Sequence, residues 1–109
     1  MNDSFNALMN EYRASFETKA QDIESAVELA DNHHWSDASV ETLASLAHKL
    51  AGSSGAYGFD DIYHQARSVN DCVKHIRTLE TPSSASIAEI KQATALLVRT
   101  LRSHSQSVA

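Results

Sequence analysis

Apolar residues recur at three- and four-residue intervals along almost the whole chain, the spacing that lines one face of an α-helix. The first such segment carries Phe5, Leu8, Met9, Tyr12 and Phe16, then Ile23, Val27, Leu29 and Ala30. It predicts a short helix, capped by Asp3 or Ser4, that breaks between Glu11 and Ala14 and leads into a longer helix ending near Asp31. The stretch DNHHWSDAS (31–39) reads as a loop, with Asn32 closing one helix and Ser36 or Asp37 opening the next. Val40, Leu43, Ala47, Leu50 and Ser54 then share one stripe of a second long helix, from about Ala38 to Gly55, interrupted at GAYGF (55–59). Phe59, Ile62, Ala66, Val69, Val73 and Ile76 mark a third, over Phe59–Leu79. Beyond the linker ETPSSAS (80–86), the capping box Ser86-x-x-Glu89 opens a last helix through Ile90, Ala93, Leu97 and Leu101. The tail SHSQSVA (103–109) is expected to fray.

Four long amphipathic segments joined by short loops predict an all-α fold: an antiparallel up-down-up-down four-helix bundle with a short extra N-terminal helix. A length of 109 residues suits a single domain over residues 1–109, and three glycines and one proline argue against a turn-rich β protein. Nine basic against fourteen acidic residues give a net charge of −5 without a basic block, which argues against nucleic acid as a partner. Cys72 is the only cysteine, so neither an internal disulfide nor a zinc-binding Cys pair is available. Its apolar runs are too short to span a membrane, and MNDSFNALMNEYR lacks the features of a signal peptide. These features predict a cytoplasmic monomer, freestanding or cut from a larger protein.

One residue of the second helix has no packing reason to be there. At 100° per residue from Leu43, the positions of Ala47, Leu50 and Ser54 fall within about 40° of the buried centre, whereas His48 lies near ~140° and Gly52 near ~180°. Gly52 therefore follows His48 by one turn on the solvent side, and Gly55 falls near ~120°. A glycine inside a helix costs about 1 kcal/mol relative to alanine. Bare backbone beside an exposed imidazole lets another protein approach the ring closely. Other histidines offer less: His33 and His34 diverge as neighbours in a loop, and His64 and His75 are too far apart along one face to share a metal.

The segment AHKLAGSSGAYGF (47–59) resembles the signature of the histidine-containing phosphotransfer (HPt) family, Ala-His-x-Leu-Lys-Gly-Ser-Ser with a second glycine ten residues after the histidine. Ala47, His48, Leu50, Gly52, Ser53, Ser54 and Gly58 match it. The resemblance implies a four-helix bundle that carries a phosphoryl group on His48 between receiver-domain aspartates of a two-component phosphorelay, with a receiver or hybrid histidine kinase as partner. It implies no enzyme activity and no cofactor of its own, Mg²⁺ and a lysine being supplied by the receiver. A neutral imidazole nitrogen is a competent nucleophile, and Nε2 projects furthest from the helix. The family's lysine three residues after the histidine is replaced by Ala51, and Lys49 leaves the helix about 100° away from His48. Lys74, one turn beyond Asn70 on the third helix, is the expected substitute cation, with Asn70 orienting the imidazole or bonding the phosphoryl group. Ala51, Ala56 and Tyr57 are candidates for a receiver-docking patch, and Tyr57 equally suits a plug at the bundle end. A receiver-binding adaptor that takes no phosphate is the alternative. A histidine-kinase dimerisation module fits poorly, because Lys49 and Ser53 stand where its motif has an acidic residue and a proline.

Overall fold

A computed structural model describes the backbone of residues 2–106 and the side chains of residues 4–105. It contains five helices: α1 (Asn2–Ala14), α2 (Phe16–Asn32), α3 (Asp37–Tyr57), α4 (Asp60–Thr78) and α5 (Ser84–Gln106). Helices α2 to α5 pack in sequence, and α5 closes the ring on α2, giving the expected antiparallel bundle; α1 extends from α2 and touches α2 and α5 only lightly. The predicted stripes of α2 to α5 meet in one core, whereas Phe5 and Leu8 of the first predicted stripe lie exposed on α1 and Leu29 lies exposed on α2. Ile23, Leu43, Val40, Ile62, Val69, Ile90, Leu97 and Leu101 are all essentially inaccessible. Burial of this kind is the main force holding the helices together, since isolated helices of these lengths are marginal in water.

Helix ends depart from the sequence expectation in ways the chain explains. The α1–α2 break falls at Ser15, one residue past the expected window, where Ser15 Oγ donates to the Tyr12 carbonyl (2.5 Å). Because α1 already begins at Asn2, Ser4 lies inside its first turn instead of capping it; the side chain of Asp3 lies outside the described residues. Helix α2 includes Asn32 and is closed by His33. His34 and Trp35 then take left-handed backbones (φ 56° and 57°), and Trp35 folds back into the core with its indole N–H donating to Asp31 (3.0 Å). Ser36 opens α3 by accepting from the Ser39 N–H, as one of the two candidates should.

Helix α3 does not end at Gly55. It continues through Tyr57 to Gly58, whose φ of +80° lets the Gly58 and Phe59 N–H groups bond the Gly55 and Ser54 carbonyls. The capping box predicted at Ser86-x-x-Glu89 is displaced by one turn: α5 starts at Ser84, and Ser83 and Ser86 cap it reciprocally. The hydroxyl of Ser83 accepts the Ser86 N–H at 3.1 Å, and Ser86 Oγ accepts the Ser83 N–H at 3.0 Å. Residues 103–106 stay helical rather than fraying, and residues 107–109 lie outside the described part. Arg102 of α5 holds Glu17 and Glu24 of α2, each at 2.8 Å, fastening the last helix to the second.

Candidate functional site

The inner face of α3 is fixed by Val40, Leu43, Ala47, Leu50 and Ser54, all buried. Ser54 can sit there because its hydroxyl donates to the Leu50 carbonyl (2.6 Å), which satisfies the polar group inside the helix. With that face pinned to the core, His48 is exposed on the outside of the bundle. Its imidazole opens on a cleft of about 300 Å³ between α3 and α4. The α3 wall is His48, Ala51 and Gly52; the α4 wall is Tyr63, Arg67, Asn70, Asp71 and Lys74.

The two glycines have different surroundings. A Cβ at Gly52 would meet nothing within 4 Å, so the backbone beside His48 is open to solvent. A Cβ at Gly55 would stand 3.1 Å from Cδ1 of Tyr63, so this glycine makes room for the Tyr63 ring against α3. The ring in turn carries Arg67, whose Nη1 donates to the Tyr63 hydroxyl (3.1 Å) and whose guanidinium lies 5.6 Å from the ring centroid.

Two contacts fix the register of this antiparallel helix pair. Arg77 reaches Asp37 and Glu41 at one end, and Gly55 faces Tyr63 toward the other. Between those points the pairing brings His48 into the cleft opposite the Asn70 region of α4. Arg67 and Lys74 lie about one helical turn to either side of Asn70 on that wall.

The remaining sequence candidates are dispersed. Lys49 lines a separate groove of about 360 Å³ on the opposite flank of α3, with Lys19, Leu46 and Ser53. Ala51 is 8% exposed, its side chain at the cleft floor, while Ala56 is exposed. Tyr57 is half-buried and stacks on Tyr12 (centroids 4.5 Å apart, planes at 22°), beside the hydrogen bond between Tyr12 and Ser53 (2.5 Å). It therefore covers the end of the bundle together with Phe16 and Phe59. Burial in that cluster pushes the Tyr12 phenol up, against the opposing Ser53 bond. Cys72 is half-buried, and burial raises its thiol pKa, followed by the charges of Glu89 and Asp71. Among the described residues, no group of three or more His, Cys, Asp or Glu could hold a metal ion, and no helix is long and apolar enough to cross a membrane.

Tyr63, Arg67 and Asp71 are the cleft residues that single-helix reading missed. Their signal was present: with Asn70 and Lys74 they follow a three- and four-residue spacing that defines one edge of α4.

The family model of the Hpt domain matches residues 7–104, nearly the whole chain. No curated protein and no solved structure matched the chain. The chain belongs to the Hpt domain family, whose members carry phosphoryl groups in two-component systems and interact there with receiver domains and kinases.

Proposed function

We propose that His48 is the phosphoacceptor of this domain, taking a phosphoryl group from a receiver-domain aspartate and passing it to a second receiver. The observation that carries this reading is the exposed imidazole beside the open backbone of Gly52, at the mouth of a cleft whose other wall brings Arg67, Asn70 and Lys74. In the forward step a lone pair of the neutral imidazole attacks phosphorus in line. The P–N bond forms as the P–O bond to the aspartate breaks, and the carboxylate leaves with the bonding electrons. The ring then carries its remaining N–H as an imidazolium until solvent takes the proton. Phosphoryl transfer of this kind needs position and charge neutralisation more than covalent help. In this reading the receiver supplies the aspartate, its Mg²⁺ and a lysine, while the bundle supplies a rigidly presented nucleophile.

Incubation with a phosphorylated receiver domain should place an acid-labile, base-stable phosphoryl group on this chain. His48→Gln should abolish that labelling with helicity unchanged, since exposed substitutions usually alter stability by less than about 0.5 kcal/mol. Labelling that persists in His48→Gln would assign the acceptor elsewhere. A parent chain that binds the receiver without becoming labelled would instead be an adaptor.

A further inference from the structure

On the flank of α3 away from the His48 cleft, the groove of about 360 Å³ runs between α2 and α3. Ile23, Leu46 and Leu50 give it an apolar floor, and Lys19 and Lys49 set two positive charges there against one carboxylate, Asp22. That balance is the reverse of the whole chain's, whose net charge is −5. Lys19 differs from the other lysines. It is half-buried, whereas Lys49, Lys74 and Lys91 are exposed and Lys91 is tied to Asp31 at 3.1 Å. Among the described residues no carboxylate forms an ion pair with Lys19; its Nζ donates to Ser15 Oγ (2.7 Å) and lies 5.2 Å from the centroid of the Tyr12 ring. Ser15 Oγ donates its own hydrogen to the Tyr12 carbonyl (2.5 Å), so toward Lys19 it acts only as an acceptor. A neutral amine held in this way keeps its lone pair free for attack. Burial lowers the pKa of Lys19, with Asp22 pulling less strongly the other way, so more of this amine is neutral than of an exposed lysine.

We propose that Lys19 is an acylation site, its amine taking the acyl group of a small acyl phosphate that enters this groove. In the step, the Nζ lone pair attacks the carbonyl carbon. The C–N bond forms as the C–O bond to phosphate breaks, and phosphate leaves with the bonding electrons. The nitrogen then releases a proton to solvent, which leaves an amide. The apolar floor suits the acyl group, and the two lysines favour a donor with an anionic leaving group over a neutral one. The titratable groups that share the groove with Lys19 are Tyr12 from α1, Asp22 from α2 and Lys49 from α3. Acylation removes the Lys19 charge and leaves Lys49 balanced by Asp22. The inference does not rest on the role of His48.

The test incubates the full chain with acetyl phosphate near neutral pH and follows each lysine by peptide mass spectrometry, which tells acetyl from phosphoryl addition by mass. Lys19 should be acetylated about threefold or more faster than Lys49, Lys74 or Lys91. In urea, where the groove is lost, the lysines should react alike. Lys49→Gln, an exposed substitution, should slow acetylation of Lys19 by acetyl phosphate roughly two- to fivefold, the effect of a partly screened charge, and added salt should shrink that difference. The same variant should react at the parent rate with p-nitrophenyl acetate, a neutral donor. Circular dichroism separates these effects from loss of fold. A Lys19 that reacts no faster than the exposed lysines, or a preference that survives in urea, would overturn the assignment of Lys19. No slowing in Lys49→Gln, or equal slowing with both donors, would overturn the acyl phosphate as donor. A phosphoryl group found on His48 in the same sample would bear on the proposed phosphoacceptor alone.

Discussion

Gly52 and Gly55 are three residues apart on one helix, and the structure assigns them opposite reasons for lacking a side chain. An alanine at Gly52 gains helix propensity of about 1 kcal/mol at an exposed position whose new Cβ meets nothing within 4 Å. In a domain of this size that corresponds to a rise of roughly 4 °C in Tm. Gly55→Ala gains the same propensity but places its Cβ 3.1 Å from Cδ1 and 3.4 Å from Cε1 of Tyr63, so the ring must move and the net gain should be smaller. Thermal unfolding of the two alanine variants tests this directly. An equal or larger gain for Gly55→Ala would refute the account of Gly55 as space for Tyr63.

Function should run against stability at Gly52. Gly52→Gln keeps good helix propensity but adds bulk one turn from the imidazole. Forcing a side chain into a closely packed contact costs about 1–3 kcal/mol, so transfer from a phosphorylated receiver should fall roughly ten- to hundredfold. Phosphoramidate is small enough to reach His48 past the glutamine and should label the variant at the parent rate. Measuring both donors on both proteins separates access from chemistry. Unchanged receiver transfer would show that the backbone at Gly52 is not approached closely. Equal slowing with both donors would show that Gly52 sets the geometry of His48 itself.

The turn between α2 and α3 offers two further tests. His34 is exposed and holds a left-handed backbone at φ 56°, which costs a non-glycine residue about 1–2 kcal/mol, so His34→Gly should raise the urea midpoint, and a lowered midpoint would contradict the strain. Nearby, Asp31 accepts from the Trp35 indole and from Lys91, and these two bonds hold its carboxyl pKa below the ordinary value. A folded-state pKa below the unfolded one contributes stability that is complete above the unfolded value and disappears as the pH falls through the folded one. The stability difference between parent and Asp31→Asn, followed by the fluorescence of Trp35, should therefore be present near neutrality and close in acid; a difference constant with pH would contradict the assignment.

Much of the fold was legible because each helix writes its buried face in its own sequence. Ile62, Ala66, Val69, Val73 and Ile76 are the buried residues of α4, and their spacing alone predicts them. Errors gathered at the ends, where local hydrogen bonding decides. Ser86 looked like an N-cap because Glu89 follows it by three, but Ser83 forms the same box one turn earlier, and the helix takes the earlier start. The glycine-rich stretch after Ser54 suggested an interruption at Gly55. The chain has no need to leave the helix until Gly58, the one glycine with a left-handed backbone.

The site divides along the same line. His48 and Gly52 share α3, so their common face follows from 100° per residue and needs no knowledge of the neighbouring helix. The α4 wall is different, because what stands opposite His48 depends on how far one helix has slid along the other. From Asn70 alone, Arg67 at three residues back and Lys74 at four residues forward are equally close on the helix surface. A slide of one turn would bring one of them level with the histidine and carry the other about two turns away. The register is set instead by contacts remote from the imidazole: Arg77 with Glu41 and Asp37 at one end, and the Tyr63 ring against Gly55 toward the other. Gly55 thus matters to the site through the neighbour it admits. It lets the Tyr63 ring pack against α3 in the wall of the cleft that His48 also lines.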